Sequence, residues 1–411
     1  MKLLVVGLIT VLYLLDLVIT LINDRHSRQP LPQEAHGIYD DEQYAKWLDY
    51  SMATLRHSIL AKTMLTALLL ALLAFGAFGL LEHLAHAWFS HPLLQTLAFL
   101  GMFAFFNLVI SLPFIYYKTF VIEQRFGFNK TTHKTFLMDL LKSILLAVVL
   151  GSGIVSLLHL LYITFNEHLW LFIVLAWGGL SLIIVVQFVL NTKILIKLFN
   201  KLTPLPEGEL RDEIEVLTRR VGFNVRAILV MDASKRSTKL NAFFSGLGKT
   251  REVVLFDTLL EKLQPDEILA VLAHELGHAV HKDVPRLLGM QIAVLGVYAA
   301  LIGFILQSPA LAQAFGLQGV HFGFSLVLFG ILSEPLDLLL SLPVNAISRR
   351  AEYAADAFAA KLAGAAPALR ALQTLAQENL SNLNPHPFYV LLHYTHPPIP
   401  ERLRAIREAN A

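Results

Sequence analysis

Long apolar runs separated by polar stretches dominate the hydropathy pattern of this 411-residue chain. A helix needs about 20 apolar residues to cross the hydrocarbon core of a bilayer, and seven runs reach that length. We place the seven predicted spans near residues 3–22, 59–81, 94–117, 136–165, 169–190, 287–306 and 322–342. The first run contains Asp16 and lacks a small-residue cleavage site, so we expect a retained span rather than a signal peptide.

Basic residues are distributed unevenly between the loops. Lysine and arginine follow the first, third, fifth and seventh runs, whereas residues 83–92, 166–168 and 307–321 contain neither. Under the positive-inside rule, this predicts an N-terminus outside and a C-terminus in the cytoplasm. Spans six and seven then form a hairpin that returns the chain to the cytoplasmic side. Residues beyond 345 can therefore meet residues 200–285 in space.

Composition agrees with a membrane protein, because 55% of residues are hydrophobic and 16% are charged, against about 25% charged in soluble domains. The net charge of +2 predicts no nucleic-acid partner. The chain has no cysteine, which excludes disulfides, thiolate catalysis and cysteine-ligated zinc. Any bound metal must therefore be held by histidine and carboxylate side chains.

The polar part of the chain falls into two segments. Residues 207–220 predict a helix, and residues 225–231, 240–245 and 253–256 predict strands, the last two paired through the turn Gly246-Leu247-Gly248. Residues 346–411 are helical in pattern, with breaks at Asn384-Pro385 and Pro397-Pro398. We expect residues 23–57 and 118–135 to pack against this polar part. The predicted division is 1–199 (spans one to five), 200–285 (first part of the peptidase domain), 286–345 (spans six and seven) and 346–411 (second part).

The motif His274-Glu275-Leu276-Gly277-His278 lies in a helix predicted to begin at Pro265. Its histidines are four residues apart, so both imidazoles leave one helix face and are able to hold one Zn²⁺. Glu275 is placed to accept a proton from a water that the metal activates. The alternative is a buried amphipathic helix with two structural histidines, since such a motif also occurs by chance.

A catalytic zinc site takes a third protein ligand. His281 is on the same stripe, but it lies roughly 10 Å from His274 along a straight helix, so we expect the third ligand on another element. Glu352 is the best candidate, with Asp356 one turn later on an alanine-rich helix. Asp356 would then accept a hydrogen bond from a ligand imidazole or an arginine. The alternative is an ordinary solvated acidic face.

Two further stretches suit a peptide substrate. Asn241, Ala242 and Phe243 begin a short strand to which an extended peptide could add if the strand lies at an edge. His396 and Arg402 offer donors for the oxyanion that forms when water attacks an amide. Taken alone, each stretch is also explained as structure, a packed strand and a capped helix start.

Together these motifs resemble the integral-membrane CAAX prenyl protease type 1 family, the seven-span zinc endopeptidases. Besides the stretches above, the resemblance runs through Phe120-Val121-Ile122-Glu123, Phe126-Gly127-Phe128-Asn129-Lys130-Thr131-Thr132, Val254-Leu255-Phe256-Asp257-Thr258-Leu259-Leu260, Ser348-Arg349-Arg350, Ala355-Asp356-Ala357-Phe358 and His396-Pro397-Pro398. It implies a mostly α membrane protein whose seven transmembrane helices form a barrel around a large chamber. A gluzincin-type α+β zinc peptidase domain would lie on the cytoplasmic side.

The resemblance also implies the activity, an intramembrane-chamber zinc metalloendopeptidase that cleaves C-terminal CAAX-like or membrane-associated peptides. The implied roles are zinc ligation, one ion per chain, by His274, His278 and Glu352; general base catalysis by Glu275; proton donation by Asp356; and substrate contact by Asn241, His396 and Arg402. The expected partners are the bilayer and a peptide or membrane-protein substrate that carries a lipid in some cases.

Two departures from the family bear on the source. The residues after the second histidine, Ala279-Val280-His281, lack the bulky aromatic of many members, and the C-terminus lacks a dilysine retrieval signal. We therefore expect a bacterial inner-membrane enzyme, for which a prenylated substrate is not required.

Two other functions remain open at this point. A membrane quality-control metalloprotease shares the chemistry and differs in substrate. A transporter or channel is suggested by ionisable residues in the spans, namely Asp139, Lys142 and Asp337. Asp139 and Lys142 are three residues apart, however, and at this spacing they can pair locally.

Overall fold

A computed structural model describes residues 1–223, 225–245 and 252–410, without the side chains of residues 191–193 and 245. The helices before the sheet are α1 Lys2–Ser27, α2 Asp41–Ala74, α3 Ala77–Trp88, α4 Pro92–Tyr117, α5 His133–Phe165, α6 Leu169–Leu190 and α7 Lys197–Phe199. The strands are β1 Leu202–Pro204, β2 Ala227–Met231, β3 Ala242–Ser245 and β4 Glu252–Phe256. The remaining helices are α8 Glu209–Arg220, α9 Asp257–Lys262, α10 Pro265–Val280, α11 Asp283–Leu306, α12 Pro309–Gln313, α13 Phe322–Ala363, α14 Ala365–Glu378, α15 Pro387–His393 and α16 Ile399–Glu408.

Seven helices in the described ranges are long and apolar enough to cross a membrane: α1, α2, α4, α5, α6, α11 and α13. The prediction of seven spans is therefore confirmed. Each of these helices contacts the next in the order α1, α2, α4, α5, α6, α11, α13, and α13 contacts α1 again. The spans thus form a closed ring.

The second span ends earlier than its apolar pattern suggests. The predicted run continues to residue 81, but α2 stops at Ala74 because Gly76 has a left-handed backbone with φ of 68°. The chain restarts as the short helix α3, which packs against α4. Gly79 of α3 lies so close to the segment before α13 that an added Cβ would be 2.8 Å from the Gly316 carbonyl oxygen. Apolarity alone does not reveal a break that a glycine conformation produces.

The spans bury few of their residues against one another. Only 6% of the residues in the most apolar windows of the second, third and fourth spans are buried. Asp16, Glu334 and Asp337 line a cavity of about 390 Å³ between α1, α13 and α15. Ionised side chains do not face lipid without a large free-energy penalty, so this wall belongs to a polar interior.

A small sheet supports the polar part, with strand order β1-β2-β4-β3. Strands β3 and β4 are antiparallel with Ala242 opposite Leu255, which confirms their predicted pairing. The turn expected at residues 246–248 lies outside the described residues. Strand β1 was not predicted, and β2 pairs with β4 in parallel. We call the sheet with helices α8–α10 and α14–α16 the peptidase unit.

Residues 23–57 and 118–135 pack on the peptidase unit, as expected. Ile38, Trp47 and Phe126 share one buried core with Ala270 of α10 and Leu372 of α14. Much of the first segment is not loop, because α2 begins at Asp41.

Asp139 and Lys142 do not form the local pair that their spacing allows. Both oxygens of Asp139 instead accept from Arg236, at 2.8 and 3.0 Å, and Lys142 donates to the Leu198 carbonyl oxygen. These charges tie α5 to the chain beyond the spans, so they do not support a transport path.

Candidate metal centre and active site

The sequence of α10 fixes its own start. Gln264 and Glu267 form a capping box, and Pro265 occupies the first helical turn. His274 and His278 follow on one face, with ring centroids 4.7 Å apart and planes nearly perpendicular. Their Nε2 atoms lie 3.1 Å apart.

Helix α13 packs closely against α10 and brings Glu352 to the two histidines. The approach is closest at Gly277, where an added Cβ would lie 3.0 Å from the Ala355 Cα. Glu352 is 4% exposed. Its Oε2 is 3.4 Å from Nε2 of His274, and its Oε1 is 3.3 Å from Nε2 of His278. Three potential ligand atoms from two distant parts of the chain therefore converge.

The other nitrogen of each imidazole is held by a carboxylate. Nδ1 of His274 lies 2.8 Å from Asp356 Oδ1, and Nδ1 of His278 lies 3.1 Å from Asp283 Oδ2. Both aspartates are 3% exposed. Each Nδ1–H donates to its carboxylate, which leaves the Nε2 lone pairs directed at one another.

These side chains fit a metal ion. Two ligands of a tetrahedral zinc ion at its usual bond lengths lie roughly 3.4 Å apart, close to the three observed separations. Two nitrogen lone pairs repel each other at 3.1 Å unless a positive charge lies between them. Oε2 of Glu352 is also buried and has no hydrogen-bond partner in the described part of the chain. Two histidines and a carboxylate form a common donor set of catalytic zinc sites.

The surroundings of His274 favour positive charge. Burial lowers the pKa of His274, but the neighbouring carboxylates of Asp356 and Glu352 outweigh it and raise the pKa to about 9. Burial likewise opposes the charge of His278, and the bond to Glu352 raises its pKa. A metal cation bound between the two imidazoles would be stabilised by the same carboxylates that stabilise a proton there.

Glu275 lies in the wall of a cavity of about 170 Å³, together with Asn241, Glu352 and His396. Burial raises the pKa of the Glu275 carboxyl, although the neighbouring imidazoles oppose this shift. A carboxylate with a raised pKa is a stronger proton acceptor, which suits a general base.

Arg402 and Asp356 form a buried pair behind His274. Nε and Nη2 of Arg402 donate to the two carboxylate oxygens of Asp356 at 2.7 and 2.6 Å. The sequence predicts that Asp356 accepts a hydrogen bond from an imidazole or from an arginine. In the structure it contacts both. Arg402 also lines the cavity, and its Nη2 lies 3.4 Å from Oε2 of Glu352, so the expected contact with the substrate oxyanion stays a prediction.

His396 approaches the site from the other side and is accessible. Its Nε2 lies 3.1 Å from Glu352 Oε1, and its side chain is 63% exposed. Burial of part of the ring lowers the pKa of His396. A neutral imidazole at this position is able to contact a substrate next to the three converging side chains.

The predicted substrate strand is at the sheet edge. β3 is the last strand in the sheet order, and Asn241 and Ala242 line the cavity. The side chain of Phe243 does not share that face. It packs with Met231 and Val254 on the opposite side of the sheet, because successive side chains in a strand alternate. Only the backbone of Phe243 remains available to a peptide on the cavity side.

His281 and Asp283 lie near the site, but neither belongs to the group of potential metal ligands among the residues that the structure describes. The His281 ring packs against Phe358 at 5.8 Å, and the donor cluster found in the described ranges consists of His274, His278 and Glu352. Asp283 was missed, although it holds His278. Its only signal in the sequence is an acidic residue shortly after the second histidine.

The ring of spans, the buried donor cluster and the adjacent Glu275 define a membrane-embedded zinc metalloprotease, and comparisons with known proteins agree. Residues 21–201 match the family model described as CAAX prenyl protease N-terminal, five membrane helices. Residues 204–410 match Peptidase family M48. The chain belongs to the CAAX prenyl protease 1 family of M48 peptidases.

Individual relatives match over nearly the whole chain. The CAAX prenyl protease 1 homolog of Arabidopsis thaliana is 33% identical over 98% of this chain and 96% of its own length. CAAX prenyl protease 1 of Saccharomyces cerevisiae is 34% identical over 92% of this chain and 89% of its own length. The crystal structure of S. mikatae Ste24p covers 98% of both chains, with a TM-score of 0.93 and 31% identity. The predicted barrel fold with its chamber is confirmed by this likeness. These relatives are eukaryotic, so the expected bacterial source is not supported.

Proposed function

We propose that this protease removes C-terminal residues from CAAX-like peptides at the membrane. The observation that carries the proposal is the buried convergence of His274, His278 and Glu352 beside Glu275 in a chain that aligns almost end to end with CAAX prenyl proteases. The substrate class follows the names of those relatives. A polar interior next to the spans suits a peptide that is tethered to the bilayer by a lipid.

His274, His278 and Glu352 would hold one zinc ion per chain. Bound zinc supplies a Lewis acid that lowers the pKa of water and polarises a carbonyl group. Asp356 and Asp283 keep the two imidazole rings in the tautomer that presents Nε2. Arg402 fixes Asp356 from behind through two hydrogen bonds. We assign these second carboxylates to orientation rather than to proton donation.

Glu275 would accept a proton from the attacking water and deliver it to the leaving amine. The edge of β3, from Asn241 to the Phe243 backbone, would pair with an extended substrate and align its scissile bond. His396 is exposed beside the site and would donate to the developing oxyanion. These roles use only side chains that line the cavity or the open sheet edge.

The test compares two peptides of one CAAX sequence, one farnesylated and one not. Purified protein is incubated with each, with and without 1,10-phenanthroline, and the products are analysed by mass spectrometry. We expect phenanthroline-sensitive cleavage after the prenylated cysteine, faster for the farnesylated peptide. Equal cleavage of both peptides at scattered bonds would instead support the quality-control function. Cleavage that survives the chelator would exclude zinc chemistry.

We also propose that the peptidase unit faces the cytoplasm, with residues 83–92 on the opposite side. The distribution of lysine and arginine between the loops supports this orientation. The chain has no cysteine, so single cysteines at Ser90 and Arg407 report the side without background. An impermeant thiol reagent applied to intact cells should label Ser90→Cys and spare Arg407→Cys. The reverse pattern would contradict the orientation.

A further inference from the structure

Three arginines meet where three neighbouring spans reach the side of the peptidase unit. Arg28 directly follows α1, and Arg56 lies in α2 before its apolar part. Arg125 lies two residues beyond a π-helical turn, Lys118–Glu123, that directly follows α4. Helix α2 contacts both α1 and this turn. The three side chains line one cavity of about 360 Å³. We call it the arginine pocket.

The positive charge of the arginine pocket is only partly neutralised. Arg28 is held by Asp24, which accepts from its Nε and Nη2 at 3.0 and 2.7 Å. Nη2 of Arg125 is 3.8 Å from Asp49 Oδ2, too far for a hydrogen bond, and both side chains are largely exposed. Arg56 has no ion pair within the ranges that the structure describes. One guanidinium is therefore free, and a second is only loosely paired.

The pocket combines these charges with an apolar wall. Leu48, Met52 and Ala53 line it beside the three arginines and Asp49, so three positive side chains there face one acidic one. Guanidinium groups bind phosphate oxygens through two parallel hydrogen bonds. Basic pockets between membrane helices at the bilayer surface bind the headgroups of anionic lipids. The apolar residues suit the glycerol and upper acyl carbons of a lipid. A free phosphate ion has no apolar part that could contact them.

We propose that the arginine pocket binds the headgroup of an anionic phospholipid on the membrane surface nearest the peptidase unit. The phosphate group contacts Arg56 and Arg125, and Asp24 keeps Arg28 directed at the same cavity. A bound lipid links the middle of α2 to the residues that follow α1 and α4, at the side of the barrel where the peptidase unit sits. This site is separate from the metal centre, and it does not depend on the substrate proposed above.

The test is lipid retention measured by native mass spectrometry. The purified protein is exchanged into detergent that contains equimolar phosphatidylglycerol and phosphatidylcholine, and the lipids that remain bound are counted. We expect the unaltered protein to retain phosphatidylglycerol preferentially. The variant Arg56→Gln/Arg125→Gln should bind it about tenfold or more weakly, because each arginine near an anionic surface contributes roughly fivefold. Zinc content and the thermal midpoint verify that the variant is folded.

The matched control is Arg220→Gln/Arg226→Gln, which removes two exposed arginines of the peptidase unit and the same total charge. It should retain phosphatidylglycerol like the unaltered protein. Equal retention of both lipids, or full phosphatidylglycerol retention by Arg56→Gln/Arg125→Gln, would overturn the proposal. Binding of inorganic phosphate to the pocket without preferential retention of phosphatidylglycerol would assign the pocket to free phosphate and overturn the lipid assignment.

Discussion

At the scale of single residues, Glu275 is the group whose replacement separates metal binding from catalysis. Glu275→Gln keeps the size of the side chain and removes its basicity, while His274, His278 and Glu352 are unchanged. We expect normal zinc content and a loss of turnover of about 10²- to 10⁴-fold, the usual contribution of a positioned general base. Elemental analysis and a peptide cleavage assay measure the two quantities.

The matched variant His274→Ala should lose the metal as well as the activity. If Glu275→Gln remained fully active after purification to homogeneity, Glu275 would not be the base. If it lost zinc, the residue would have a structural role at the metal centre instead.

Asp283 was not predicted as a site residue from the sequence, and its contacts in the structure identify it as one. It accepts from Nδ1 of His278 with one oxygen and from Arg286 with the other, at 3.1 and 3.2 Å. Asp283→Ala removes the group that orients His278, so we expect zinc affinity to fall about 10- to 100-fold. Competition with a chromogenic chelator measures this affinity.

The conservative variant Asp283→Asn retains an oxygen acceptor and should recover much of the lost affinity. Arg286→Gln breaks the outer contact only and should leave zinc binding nearly unchanged. Equal zinc affinity in Asp283→Ala and the unaltered protein would show that His278 needs no support from this carboxylate.

At the scale of elements, the contact between α10 and α13 decides whether the third ligand reaches the histidines. Gly277→Ala places a methyl group about 3.0 Å from the Ala355 Cα, a backbone atom that cannot turn aside. We expect the two helices to separate, with a loss of about 1–3 kcal/mol in stability, as in other overpacked interfaces, and weaker zinc binding. The thermal midpoint and zinc content are the measurements.

Gly289→Ala is the control for this substitution, because it is also a helical glycine and an added Cβ there meets no atom within 4 Å. It should be neutral or slightly stabilising, since alanine favours a helix. Unchanged zinc content in Gly277→Ala would mean that α13 does not need this close contact.

At the scale of the whole molecule, the ion pair of Arg236 and Asp139 couples α5 to the chain that enters the peptidase unit. Each side chain is 22% exposed, so a partner left alone loses much of its solvation. We expect Arg236→Gln to destabilise the protein by about 2 kcal/mol, less than for a fully buried pair. Thermal unfolding of the purified protein measures the change.

The double variant Arg236→Gln/Asp139→Asn should be more stable than the sum of the two single variants predicts, because no charge remains unpaired. Arg211→Gln, which breaks a pair within α8 and one hydrogen bond to the Leu205 carbonyl oxygen, should change stability by less than about 1 kcal/mol. If the stability changes of the two single variants simply added in the double variant, the ion pair would not couple α5 to the peptidase unit.

The sequence by itself determined the features that depend on local pattern. Seven apolar runs predict seven spans because each must satisfy its own backbone within the bilayer. The spacing of His274 and His278 places both rings on one helix face. The loop charges predict the orientation of the spans, and that orientation places the residues after the seventh span on the same side of the membrane as this helix. Glu352 was predicted as a ligand for this reason, and the structure brings it to the histidines.

Only the tertiary structure decided which partners those side chains take across long distances in the chain. Asp283 faces His278, Asp139 pairs with Arg236 rather than Lys142, and Phe243 turns away from the cavity. The end of α2 at Ala74 depends on a glycine conformation that apolarity does not encode. Hydrophobic periodicity predicts which face of a helix or strand is buried. The side chains that pack against that face come from distant parts of the chain, and local sequence pattern does not identify them.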